Sequence, residues 1–218
     1  MKFKNILSMI CNLAIVGLVG YSTYVFITEG GTGNMAGQYP FYCFFTFDSN
    51  ILCAIAALLL LINNIINIFR KEASFSFTFV LLKMMGAVGV TLTFLVVMFW
   101  LRPTLGGDQM YGGVNLFLHF ICPILGAVSF LFFETSDEFN ISSFIMAIIP
   151  IIAYGVIYIY NTVFAGNWID FYNFNFSGQW YFMIALVLAA AIIIAIIEII
   201  IHNIVAKIDN AIMKRKSK

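Results

Sequence analysis

The stretch WYFMIALVLAAAIIIAIIEIIIHNIV, residues 180–205, has a single charged side chain, Glu198, in 26 positions. A helix needs about 20 mostly apolar residues to cross the hydrocarbon core of a membrane. Five other stretches are long and apolar enough to do the same: 6–28, 41–69, 78–101, 114–133 and 143–164. Lipid tolerates only helices or closed barrels, and these stretches lack the alternation of barrel strands. The sequence therefore predicts an all-α integral membrane bundle of six transmembrane helices, a single domain over residues 1–218.

The composition excludes the soluble classes of protein. Of the 218 residues, 62% are hydrophobic and 10% are charged, whereas a soluble domain has about 25% charged residues. A soluble enzyme, a nucleic-acid-binding protein and a disordered scaffold are therefore excluded, and the expected partner is the lipid bilayer. Cys11, Cys43, Cys53 and Cys122 form no C-x-x-C pair and have no His at ligand spacing. We expect them to be small hydrophobic residues, and we expect no metal or other cofactor.

Basic residues predict the orientation of the helices. Nine of the eleven Lys and Arg residues fall on one side if six helices alternate: Lys2, Lys4, Arg70, Lys71, Lys207, Lys214, Arg215, Lys216 and Lys218. Because cytoplasmic loops are rich in Lys and Arg, both termini and loop 70–77 are expected to be cytoplasmic. The expected membrane is the cell membrane or, in a eukaryote, that of the endoplasmic reticulum. Loop 134–142 is acidic and departs from the pattern, but acidic residues contribute little to it. The loops expected on the opposite side are 29–40, 102–113 and 165–179.

The first stretch, 6–28, follows two lysines, as the apolar region of a signal peptide would. It is longer than such a region and has no small-x-small cleavage site, so we expect a retained helix.

Polar residues share one helical face at the start of the second stretch. Thr46, Ser49, Asn50 and Cys53 are spaced i, i+3, i+4 and i+7, whereas Asp48 points about 200° away from Thr46. Polar groups are costly in hydrocarbon, so each is a candidate site residue. Small polar residues also join packed helices, and that alternative explains the same stripe.

A second polar stripe lies on the fourth stretch and consists of Asn115, His119, Cys122, Pro123 and Gly126. Thr46 and His119 are each the sixth residue of a stretch, so both are expected about 8 Å from the same end of the bundle. A hydroxyl and an imidazole at equal depth could form a nucleophile–base pair. A lone histidine can equally be a structural residue. Pro123 is expected to loosen the helix next to His119.

Lys83 and Glu198 are the two charges deepest in the predicted helices, at similar distances from the cytoplasmic end. We expect a structural ion pair between them, with His202, four residues after Glu198, sharing the contact. Two alternatives stay open: Lys83 could extend to the lipid headgroups, or the pair could relay protons.

Two motifs in the chain suggest a family. Phe45-Thr46-x-x-Ser49-Asn50 followed by His119-x-x-x-Pro123 resembles the androgen-induced family of threonine-dependent multi-pass membrane hydrolases, and is most similar to its six-helix microbial relatives. Tyr154, Tyr158 and the stretch 168–172 look like a continuation of the same pattern. The resemblance spans about residues 41–175, and the order of the motifs carries it.

This resemblance implies an intramembrane lipid ester hydrolase that cleaves fatty-acid esters of hydroxy fatty acids with a Thr46–His119 dyad. His119 would accept the hydroxyl proton of Thr46 as Thr46 attacks the ester carbonyl, and water would later hydrolyse the acyl-threonine. Asn115 matches the family too, whereas Ser49 stands where the animal members have Asn, and Asn50 follows it.

Further residues could support the dyad. Ser49, Asn50 or Asn115 could donate hydrogen bonds to the oxyanion, and Asp170 could orient the base. Aromatic residues near Asp170 are expected to form a belt at the membrane interface rather than a substrate gate: Phe171, Tyr172, Phe174, Phe176, Trp180 and Tyr181. The alternative class is a non-enzymatic lipid-binding sensor, channel or transporter.

Overall fold

A computed structural model describes residues 2–30, 39–70, 75–135, 138–175 and 178–216. These residues form six long helices and no strand: α1 (Phe3–Glu29), α2 (Phe45–Phe69), α3 (Phe77–Thr104), α4 (Val114–Phe132), α5 (Ile141–Phe164) and α6 (Trp180–Arg215). Each helix is long and apolar enough to span a membrane, so the predicted all-α multi-pass fold is confirmed. Lys71, Phe176 and Lys218, which contributed to the predictions above, lie outside the described residues.

Two helix boundaries differ clearly from the predicted ones. The stretch expected to begin at residue 41 starts with a separate 3₁₀ turn, Phe41–Cys43, because Pro40 and Phe44 are both extended. Helix α2 therefore begins at Phe45, and Thr46 is its second residue rather than its sixth. The predicted equal depth of Thr46 and His119 within their helices is wrong for this reason. Helix α6 continues past residue 205 to Arg215.

Helices α3, α4 and α5 each contain a π-helical turn near the same end of the bundle, where α2 begins. We call this end the site end. The turns are Val97–Leu101, Phe117–Ile121 and Tyr160–Phe164. In α4 the turn stops just before Cys122 and Pro123, and Pro123 has no N–H to bond the carbonyl of His119. Wide turns of this kind occur often at functional sites.

Helix α3 is the most buried of the six spans and contacts α2, α4, α5 and α6. Its approach to α2 is close enough to require glycine. A Cβ atom on Gly86 would lie 2.6 Å from Cys53 Cα, and one on Gly89 would lie 3.2 Å from Ser49 Cβ. The glycines therefore set the distance at which the polar stripe of α2 meets α3.

The chain between α5 and α6 folds back onto the site end. Phe171, Tyr172 and Phe174 are buried there against residues that include Leu101 and Tyr158. The predicted aromatic belt is therefore wrong for these three side chains, because burial among other aromatic rings removes them from the membrane interface. Tyr181, in contrast, is exposed.

Candidate active site

Thr46 lies at the start of α2 with its side chain 9% exposed. Its carbonyl accepts hydrogen bonds from Asn50 Nδ2 at 2.7 Å and from Ser49 Oγ at 3.2 Å. Its hydroxyl makes no hydrogen bond to any residue that the structure describes. The Thr46 hydroxyl is therefore available for a reaction partner.

Asn50 joins the two helices on which the dyad was predicted. Its side-chain amide donates to Thr46 O and, at 3.0 Å, to Leu118 O in α4. Both N–H groups of the amide are used in these bonds, so the predicted role of Asn50 as an oxyanion donor is not supported. Asn50 thus acts as a contact between packed helices, which was the alternative to a catalytic role for the polar stripe of α2.

Ser49 joins α2 to α3. Its hydroxyl lies 3.0 Å from Thr93 Oγ1 and 3.2 Å from Thr46 O. A hydroxyl has one proton to donate, and that of Ser49 goes to Thr46 O or, where Thr93 is the acceptor of their contact, to Thr93 Oγ1. Ser49 is thus also a helix contact rather than an oxyanion donor. Asn115 is half-buried one turn before His119, and its role as an oxyanion donor stays a prediction.

His119 lies in the π turn of α4 with its side chain 7% exposed. Its Nδ1 is 2.7 Å from Met110 O, in the short helix Gly107–Tyr111 that precedes α4. A carbonyl can only accept, so Nδ1 carries a proton and Nε2 of the neutral ring is the basic nitrogen. Nε2 makes no hydrogen bond to a described residue. Met110 therefore supplies the orienting group that sequence reasoning sought in a carboxylate.

Asp170 does not orient His119. Its carboxylate accepts from Tyr158 Oη, from Phe174 N at 3.0 Å and from Asn175 N at 2.6 Å. These bonds use the carboxylate to fix the turn that carries Phe171 and Tyr172. The prediction that Asp170 supports the dyad is wrong because local backbone donors occupy it.

Thr46 is one of the residues that line an apolar cavity between α2, α3, α5, α6 and the 172–174 segment. The cavity has a volume of about 60 Å³, several times what one water molecule requires. We call it the Thr46 cavity. Its lining comprises Phe45, Thr46, Leu92, Thr93, Val96, Val97, Leu101, Ile151, Tyr154, Gly155, Tyr158, Tyr172, Phe174, Ile184 and Val187. His119 is not part of this wall, and no hydrogen bond between described residues joins its ring to Thr46.

Two tyrosines hold the start of α2 at the cavity. Tyr172 Oη accepts from Phe45 N at 2.8 Å, and Tyr154 Oη donates to Cys43 O at 2.8 Å. Burial raises the pKa of Tyr172 to about 12, so its phenol stays protonated at neutral pH. The bond from Phe45 N to Tyr172 Oη takes the place of a side-chain cap at the first turn of α2.

Lys83 pairs with a different carboxylate from the predicted one. Its Nζ donates to Asn12 Oδ1 at 2.6 Å and lies 3.9 Å from Glu134 Oε2, and Lys83 and Glu134 are both fully buried. Glu134 Oε1 also accepts from Asn12 Nδ2 at 2.7 Å and from Ser8 Oγ at 3.0 Å. Asn64 completes the group through a bond to Ser8. We call these five residues the Lys83 cluster.

Glu198 bonds Thr91 Oγ1 of α3 at 2.7 Å instead of Lys83. Thr91 is eight residues, or about two helical turns, from Lys83 along α3. Glu198 therefore contacts α3 about two turns away from Lys83. His202 also has a separate environment: its ring stacks on Phe130 at 4.7 Å, and its Nδ1 is 3.2 Å from Phe130 O. The predicted Lys83–Glu198 pair with His202 is therefore replaced by three separate contacts. The cluster is not evident from the sequence, because Glu134 falls just beyond a predicted helix, in the expected loop 134–142.

Comparison with known proteins gives no match to a protein family, to a curated protein sequence or to a solved structure. The helices by themselves define a class, a multi-pass membrane protein.

Proposed function

We propose that this protein is an intramembrane lipid ester hydrolase with Thr46 as nucleophile and His119 as general base. The observation that carries the proposal is that Thr46, whose hydroxyl has no hydrogen-bond partner among the described residues, is one of the residues that line an apolar cavity. An ester between long acyl chains needs such a wall for its chains and one nucleophile at the carbonyl. The resemblance of the Thr46 and His119 motifs to the androgen-induced family supports the same assignment and favours fatty-acid esters of hydroxy fatty acids.

The reaction proceeds in two halves. His119 Nε2 accepts the proton of Thr46 Oγ1 as that oxygen bonds the ester carbonyl carbon. The C–O bond to the leaving alcohol then breaks, and the alcohol oxygen takes the proton from His119. In the second half, Nε2 takes a proton from water, the hydroxide attacks the acyl-threonine, and the fatty acid leaves as Thr46 regains its proton.

The dyad needs a movement before the first step, because Thr46 and His119 are not hydrogen-bonded to each other. Asn50 keeps the two helices together by binding Thr46 O and Leu118 O with one amide group. The ring of His119 is held in the tautomer that a general base requires by its bond to Met110. Catalytic hydrogen bonds are often open in a protein without substrate and close in the complex.

The orientation we propose places both termini in the cytoplasm and the site end on the opposite side of a cell membrane. The support is the distribution of Lys and Arg, nine of eleven on the side of the termini. A lipid ester would then reach Thr46 from the outer leaflet.

A non-enzymatic lipid-binding sensor is the second candidate. One observation favours it: His119 lies outside the wall of the Thr46 cavity. A protein of this kind would hold part of an acyl chain in the Thr46 cavity without cleaving an ester.

Turnover of a fluorogenic long-chain ester by purified protein in detergent tests the proposal. Thr46→Ala and His119→Ala should each lower kcat by about 100-fold or more, the usual contribution of a nucleophile–base pair, and the double variant should be little worse than either. Thr104→Ala is the control, because Thr104 is an exposed threonine at the same end of the bundle. A fluorophosphonate should label wild type at Thr46 and neither dyad variant.

Turnover that survives Thr46→Ala would refute the nucleophile. A wild-type protein that neither labels nor turns over, yet retains lipid through purification, would favour the sensor.

A further inference from the structure

We propose that a groove on the membrane-facing side of the protein binds a lipid whose headgroup carries an ammonium group. The groove lies between α2, α3 and α5 and has a volume of about 230 Å³. We call it the Asp48 groove. Its lining comprises Phe45, Asp48, Ser49, Leu52, Met85, Gly89, Pro150, Ile151, Ala153, Tyr154 and Ile157. Ile157 is 51% exposed, so this side of the bundle faces lipid.

Asp48 supplies the charge that selects the ligand. Its carboxylate has no hydrogen-bond or ion-pair partner in the described part of the chain. The helices that line the groove contain two basic residues, both in α3, and both have other partners. Lys83 belongs to its cluster, and Arg102 Cζ lies 5.7 Å from the ring centroid of Tyr111. An unpaired carboxylate is costly within a membrane and calls for an external cation.

Aromatic rings beside Asp48 suit an ammonium group. Phe45 and Tyr154 line the same groove with ring centroids 5.1 Å apart. A carboxylate next to aromatic faces is the combination that binds alkylammonium groups, through charge and through cation–π attraction. Asp48 lies in the first turn of α2, so this polar part of the groove is within about one helical turn of the site end.

The rest of the groove suits acyl chains. Leu52, Met85 and Pro150 line it further from the site end, one turn or more along their helices from Asp48, Gly89 and Tyr154. The groove is thus polar where a headgroup would lie and apolar where chains would extend towards the membrane centre. A zwitterionic phospholipid with an ethanolamine headgroup has this arrangement of charge and chain.

The groove adjoins the Thr46 cavity. Phe45, Ile151 and Tyr154 line both spaces and form the partition between them. Lipid binding at the Asp48 groove does not depend on ester hydrolysis at Thr46.

Native mass spectrometry of purified protein, with phosphatidylethanolamine and phosphatidylglycerol of identical chains in competition, tests the inference. Wild type should retain phosphatidylethanolamine with about tenfold preference, as expected from one charge-assisted contact. Asp48→Asn should lose the preference. Glu138→Gln, which removes an exposed acid paired with Lys207 at the opposite end, should keep it. Thr46→Ala should keep it too, which separates this inference from the hydrolase proposal. Equal retention of both lipids by wild type, or an unchanged preference in Asp48→Asn, would overturn the inference.

A second measurement uses wild type alone and covers the case in which Asp48→Asn does not fold. A carbodiimide should couple the amine of bound phosphatidylethanolamine to the carboxylate of Asp48, detectable by peptide mass spectrometry. Coupling at other acids without any at Asp48 would contradict the proposed headgroup position.

Discussion

At the residue scale, Lys83 shows how a buried cation is accommodated in a membrane helix. Its ammonium group is enclosed by Asn12 and Glu134, and Glu134 is in turn bonded to Ser8 and Asn12. The cluster joins α1 and α3 to the end of α4. A buried ion pair stabilises a fold less than its geometry suggests, but removal of one partner leaves an uncompensated charge.

We expect Lys83→Met to lower the free energy of unfolding by about 3–5 kcal/mol, because Glu134 would keep a buried charge without its cation. Glu134→Gln in the same chain should recover much of that loss. Glu198→Gln should recover none of it, because Glu198 bonds Thr91 instead. Thermal or denaturant unfolding in detergent measures the three variants. Recovery by Glu198→Gln and not by Glu134→Gln would contradict the cluster.

Tyr172 gives a prediction with a pH dependence. Tyr172→Phe leaves Phe45 N without its acceptor, so we expect a loss of about 1–3 kcal/mol at neutral pH. Burial raises the pKa of Tyr172 from an ordinary value near 10 to about 12. Because this pKa is raised in the folded protein, the contribution of the Tyr172 hydroxyl to the free energy of unfolding is complete below pH 10. It disappears as the pH rises towards 12. The difference in stability between wild type and Tyr172→Phe should therefore shrink across this interval. A difference that shrinks below pH 9 would contradict the assignment.

At the scale of elements, the close contact of α2 with α3 determines how the polar stripe is used. Gly86 and Gly89 let α3 approach α2 closely at Cys53 and Ser49. This approach brings Ser49 Oγ to 3.0 Å from Thr93 Oγ1. Small residues at such contacts are the common means by which membrane helices associate.

Gly86→Ala should therefore destabilise the bundle. The added methyl would lie 2.6 Å from Cys53 Cα, a backbone atom that cannot move alone. Overpacking of this kind costs about 1–3 kcal/mol. Gly17→Ala is the matched control, since nothing lies within 4 Å of its added Cβ and alanine favours the helix by up to about 1 kcal/mol. Thermal unfolding should separate the two variants, and equal melting temperatures would show that α2 and α3 are further apart than described.

The helices could be predicted from sequence because length and hydropathy are local properties. The contacts of the candidate site could not. Met110 binds His119 through a backbone carbonyl, which no side-chain pattern reveals. Glu134 follows a predicted helix end, and only the folded bundle shows that it is buried. The spacing of Thr46, Ser49 and Asn50 indicates a common helical face, as the structure has it. Spacing along one helix does not reveal which groups of other helices their side chains hydrogen-bond.

At the scale of the whole molecule, the distribution of charge predicts the orientation in the membrane. Most of the Lys and Arg residues that the structure describes lie at the end opposite the site end. There Lys4 binds Asp209 at 2.7 Å and joins the two terminal helices. The four native cysteines are buried, so they should give little background in labelling experiments.

Single cysteines report the orientation directly. Asn167→Cys, at an exposed position at the site end, should react with a membrane-impermeant maleimide on intact cells. Met213→Cys, exposed near the end of α6, should react only after lysis. The reverse pattern would place both termini outside and would move the proposed site to the cytoplasmic leaflet.

The position of Glu134 also has a consequence for biogenesis. Ribosomes make α3, with Lys83, before they reach the counter-charge at Glu134. During that interval the translocon must admit a helix with an unneutralised lysine. This costs about 2.5–3.5 kcal/mol at the centre of a span and less at Lys83, the seventh residue of α3. The apolar remainder of α3 and the side-chain Oδ1 of Asn12 in the preceding α1 must hold the nascent segment in place. The first four helices can thus form their complete set of polar contacts only once synthesis has passed the end of α4.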